Sequence, residues 1–171
     1  MGAWGYGFTQ SDDYFDARGL LAKAFRVEDE NDSAAWRGPL SSRHVRQCVI
    51  EAILNRAGDE FGFSLSFDDN YLTPALYAAV LAQMCLENTI ELEAAERANL
   101  IMLIMRDRPL ADGVYKPGPY GEDQWAKDML ERAVGITRLL SELASPTDRP
   151  VVVGESGLMV SIAELIAEGQ P

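Results

Sequence analysis

Trp125, Met129, Ala133, Ile136, Leu140 and Leu143 fall at i, i+4, i+8, i+11, i+15 and i+18, so a helix through them carries one apolar stripe over five turns. Such a stripe has to be buried against other elements, which commits the chain to a multi-helix core. Other segments repeat the pattern. Ser11 can cap a first helix whose opening turn holds Asp12 and Asp13, with Tyr14, Phe15, Leu20, Leu21, Ala24 and Phe25 at roughly helical spacing. Glu28–Asp32 reads as a loop. Ser41 or Ser42 can cap a second helix running to about Arg56, with Val45, Cys48, Val49, Ala52 and Ile53 as its apolar face.

Thr73 followed by Pro74 is a helix start, a capping hydroxyl and then a proline where no amide donor is missed. Leu76, Val80, Leu81, Met84 and Cys85 continue that helix, and a pause is expected near Asn88. The next helix carries Glu91, Glu93 and Glu96 early and Arg106 and Arg108 late, in the sense the helix dipole favours, before Pro109 stops it. Within it Leu100–Met105 has no polar residue, and this run is expected to be the most buried element.

The two ends differ from the middle. Gly2, Gly5 and Gly7 surround Trp4, Tyr6 and Phe8, an irregular arm pinned by its aromatics. Phe61, Phe63, Leu65 and Phe67 alternate with small or polar residues and read as extended. Val151–Val153 and Leu158–Val160 flank Gly154–Gly157 as a tight β-hairpin, and Ser161 with Glu164 forms a capping box for a last short helix. The expected fold is mainly α. It is one compact multi-helix domain over residues 1–171, with an irregular Gly/aromatic N-terminal arm (1–10), a helical body (11–145) and a small C-terminal β-hairpin plus short helix (150–168).

Fifteen lysines and arginines against 27 acids leave a net charge of −12. A field of that sign disfavours nucleic acid and anionic membrane surfaces and attracts basic proteins. The opening lacks a basic and apolar leader, and no apolar run approaches the length of a bilayer span, so a cytoplasmic location is expected. Cys48 and Cys85 read as small buried hydrophobes in a reducing compartment, with a disulfide between them an open alternative.

Reactive machinery is sparse. His44 is the single histidine, and with Cys48 and Glu51 it lies at i, i+4 and i+7 on one helix face, spacing that could hold a metal or activate the thiol but lacks a fourth ligand. Asp12, Asp13 and Asp16 cluster on the first helix, where carboxylates could do acid–base work or simply complement the helix dipole. Asp68, Asp69 and Asn70 read as turn chemistry, without the spacing of a calcium loop. No phosphate-binding loop, nucleophile elbow or zinc knuckle appears, so no catalytic residue, cofactor or metal is assigned.

Met1-Gly2-Ala3-Trp4-Gly5, then Gly7, Asp12-Asp13, Asp16 and Leu20, resembles the start of the bacterial DUF4259 domain family. The family is without assigned chemistry, and the likeness covers barely an eighth of the chain. It implies a prokaryotic or phage origin and a small helical fold, with Trp4 and the three aspartates acting as a unit.

Three functions compete. The first is a non-enzymatic immunity-like or counter-defence protein that docks a basic protein partner through Trp4, Tyr6, Asp12, Asp13 and Asp16. The second is a metal-dependent hydrolase built on Asp12, Asp13 and Asp16. The third is an assembly protein whose C-terminal hairpin completes a sheet in a homo-oligomer. The charge and the missing catalytic constellation favour the first.

Overall fold

The computed structural model describes Thr9 and residues 12–55, 72–106 and 134–144. Within them lie α1 (Asp12–Phe25), α2 (Ser33–Ser41), α3 (Arg43–Asn55), α4 (Pro74–Glu87) and α5 (Ala94–Arg106). A further helical stretch, α6, covers residues 134–143, and no strand occurs among the described residues. The glycine-rich opening around Trp4 and Tyr6, the extended Phe61–Phe67 segment, the Asp68–Asn70 turn, and the hairpin and short helix of 150–168 all lie outside the described residues.

The core is organised around α4, which packs against α1, α2, α3 and α5. A helix contacted from so many directions can spare no polar face. Ala75, Leu76, Tyr77, Ala78, Ala79, Val80, Leu81, Ala82, Met84 and Cys85 are all buried, and the four alanines let neighbouring helices approach closely. Its start is as the sequence implies: Thr73 accepts from the Leu76 amide at 3.2 Å and Pro74 opens the first turn.

This corrects the expectation for Leu100–Met105. Leu100, Leu103 and Ile104 are buried, whereas Met102 is 40% exposed and Ile101 and Met105 are only partly covered. The run lies on a peripheral helix, which buries the side turned to α3 and α4 and leaves the other outward; a solvated methionine is ordinary there. On α6, Ile136, Leu139, Leu140 and Leu143 join the same core, so the last part of the five-turn stripe is buried as its period requires.

α2 is an element that helical spacing alone did not pick out, because Gly38 and Pro39 interrupt it. Asp32 caps it through the Ala34 amide at 2.9 Å, and Trp36 and Leu40, four apart, fill the core. Gly38 has open space where a Cβ would be, and its missing side chain relieves the clash that Pro39 imposes on a helical predecessor.

Two helices end in the same way without glycine. After α4, Ile90 N–H donates to Cys85 O at 2.9 Å and Thr89 N–H to Leu86 O at 3.0 Å, a Schellman motif with Thr89 at φ 56°. After α1, Val27 N–H donates to Ala22 O and Arg26 N–H to Lys23 O, with Arg26 also at φ 56°. A β-branched residue in the left-handed region is strained, by about 1–2 kcal/mol relative to its preferred conformations. Thr89→Gly is therefore expected to stabilise the fold by about 1 kcal/mol, less whatever the Thr89 hydroxyl contributes through its 2.7 Å bond to Asn88 O. Urea denaturation followed by circular dichroism reads the shift in midpoint.

Candidate functional site

The outward side of α1 gathers most of the described residues singled out for partner binding. Asp12 and Asp13 occupy its first turn, where carboxylates favour the positive helix end; both are half-buried and both are engaged by neighbouring groups. Asp16 is exposed one turn on. Between them stands Phe15, 45% exposed and set edge-on against buried Tyr14 with ring centroids 5.5 Å apart. One further turn along is Gly19, and the carboxylate of Glu30 lies across it: a Cβ there would come within 2.9 Å of Glu30 Oε2. The strip Asp12, Asp16, Glu30 thus runs along one helix side, with an aromatic ring at its edge.

The loop that supplies Glu30 is pinned by its own polar groups. Trp36 Nε1 donates to Glu30 O at 3.1 Å, and Asp29 Oδ1 accepts the Asn31 amide at 2.9 Å. Glu28, Asp29 and Glu30 are all exposed. On the same helix the Arg18 guanidinium stands 5.9 Å from the centre of the fully buried Trp36 ring, a cation–π contact, and its buried Nε has no hydrogen-bond partner among the described residues. Tyr14 is held neutral far into the alkaline range, first by burial and then by nearby Glu87, with Arg18 opposing. Trp4 and Tyr6 lie outside the described residues.

A second group sits on α3. His44 Nε2 and Cys48 Sγ are 3.8 Å apart at the solvent side, and Glu51 is exposed on the next turn. Cys48 is half-buried, which departs from the expectation that both thiols are core; it lies at the edge of the face whose centre is Val49, Ile50 and Ile53. Both cysteines are free. Cys85 is fully buried, and burial pushes its thiol up to about 12, with Arg46 opposing and Glu96 reinforcing. Native protein at pH 8 is therefore expected to take up one equivalent of a thiol reagent rapidly, at Cys48, and the second only on unfolding. Mass spectrometry of digests made after brief labelling identifies the site.

The group that sequence reading missed is an internal ion pair. Arg46 is 4% exposed and Glu96 3%, and they meet through two bonds, Nε to Oε1 at 2.9 Å and Nη2 to Oε2 at 3.0 Å. Arg46 Nη1 also donates to Leu40 O at 2.6 Å, satisfying a carbonyl in the last turn of α2. Glu96 Oε2 accepts the Glu93 amide at 2.9 Å, the return half of a capping box at the start of α5. At the rim Arg43 and Glu93 pair at 2.7 Å in largely exposed positions. The available signal was phase: Arg46 is in register with Val49, Ile50 and Ile53, and Glu96 with Leu100 and Leu103.

Among the described residues no three or more histidine, cysteine, aspartate or glutamate side chains are arranged to hold a metal ion. None of the described helices is long and apolar enough to cross a membrane. Comparison with protein-family models finds no match for the chain, and neither does comparison with curated proteins or with solved structures.

Proposed function

We propose that this chain is a non-enzymatic interaction protein that docks a basic protein partner through the outer side of α1. The observation that carries the proposal is Phe15, an aromatic ring left half in water among Asp12, Asp13 and Asp16. Aromatic anchors ringed by charge supply affinity at the ring and steering at the rim. The exposed Glu28, Asp29 and Glu30 extend the same sign of potential, and the net charge of −12 adds long-range attraction for a basic surface. An immunity-like or counter-defence role, with the prokaryotic or phage origin that the DUF4259-like opening implies, is the setting such a protein would have.

Phe15→Ser and Asp16→Lys test it, because both side chains are exposed, and circular dichroism checks that Phe15→Ser, which gives up an edge-on contact with Tyr14, keeps its helices. Wild-type chain immobilised at low salt is expected to retain a basic protein from host lysate and release it at high salt. Each variant is expected to lower retention at least about tenfold, the equivalent of about 1.4 kcal/mol at one contact. Undiminished retention by both variants contradicts the proposal.

A further inference from the structure

The chain has one histidine and two cysteines, and of these His44 and the half-buried Cys48 stand together while Cys85 is sealed in the core. Their heads, Nε2 and Sγ, are 3.8 Å apart across one turn of α3. A tetrahedral ion with a metal–sulfur bond of about 2.3 Å and a metal–nitrogen bond of about 2.0–2.1 Å separates those two ligand atoms by about 3.6 Å. The pair already has nearly that bite. It is also held on a firm base, because Arg46, Val49, Ile50 and Ile53 anchor the opposite side of the helix in the core.

From this juxtaposition we infer that His44 and Cys48 form a two-point chelate for a thiophilic divalent cation of the zinc class. Binding exchanges the thiol S–H bond for a sulfur–metal bond, releases that proton to solvent, and uses the lone pair of neutral imidazole Nε2. A sulfur and nitrogen pair selects zinc, cobalt or cadmium over magnesium and calcium, which require oxygen ligands. Water completes the coordination, since no third ligating side chain converges there among the described residues. The site is independent of the acidic side of α1, which uses neither residue.

The test uses the full-length, reduced, metal-free chain titrated with cobalt(II), followed by its sulfur-to-metal charge-transfer absorption, and with zinc(II) by calorimetry. One equivalent of ion is expected, with a charge-transfer band that Cys48→Ser abolishes. His44→Ala is expected to weaken binding at least about tenfold, and Glu51→Gln to leave it unchanged. Both ligand positions lie at the surface or its edge, and circular dichroism of each variant confirms that the helices are intact. Absence of the band at millimolar cobalt, or equal affinity in wild type and His44→Ala, overturns the proposal.

Discussion

Arg46→Ala is expected to destabilise the protein by about 3–5 kcal/mol, a large share of the stability of a domain this size. The cause is the charge left behind. Glu96 is 3% exposed, so without the guanidinium its carboxylate faces low dielectric with the Glu93 amide as its remaining hydrogen-bond partner among the described residues, and Leu40 O loses its donor as well. Glu96→Ala is expected to cost a similar amount by stranding Arg46. The double variant Arg46→Met/Glu96→Leu is expected to recover part of the loss, because it leaves no unpaired buried charge, while Leu40 O and the Glu93 amide still lose their side-chain partners. Urea denaturation of the wild type, Arg46→Met, Glu96→Leu and the double variant forms a double-mutant cycle with a large coupling energy. A cost below about 1 kcal/mol for Arg46→Ala would mean that the pair is hydrated and carries little.

Leu81→Ala is expected to cost about 2–5 kcal/mol, while Met102→Ala stays within about 0.5 kcal/mol. Leu81 is fully buried on α4, where the other helices hold their positions and the vacated volume collapses only in part. Met102 gives up contacts that are already shared with water, since it is 40% exposed. The contrast separates two runs that look equally apolar in the sequence. Equal costs at the two sites would mean that Met102 is as enclosed as Leu81, and would contradict a core centred on α4.

What was legible before the fold was known was local in origin. Thr73-Pro74 announces α4 because the cap and the ring act within one turn, and Ser42 directly precedes α3. The first helix begins at Asp12 as the acids of its opening turn imply. Tertiary choices were not legible. Whether Leu100–Met105 or Ala75–Cys85 forms the centre depends on how many helices surround each, which no periodicity encodes. Arg46 and Glu96 are 50 residues apart, and each alone reads as a surface charge; only their phase with apolar neighbours hinted at burial. Pro39 hid α2, whose Asp32 cap and Trp36–Leu40 pair mark it once the interruption is set aside.

The candidate site divides along the same line. Asp12, Asp13 and Asp16 share one helix side, as a three- and four-residue spacing requires. The place of Glu30 across Gly19 depends on the loop that Trp36 pins, and no local rule supplies it. Phe15 reads as a core residue by spacing, yet Tyr14 and Ala17 take the buried positions and leave the ring outside. That exposure turns an acidic helix side into a surface with an anchor.

Hydroxyl-radical footprinting of the chain, alone and in the complex it captures from host lysate, tests the docking proposal most directly. The exposed side chains of Phe15, Asp16 and Glu28–Glu30 are predicted to become protected, Phe15 most of all, while Met102 keeps its reactivity. Capture of no basic protein, or protection confined to other helices with Phe15 as reactive as before, would contradict it.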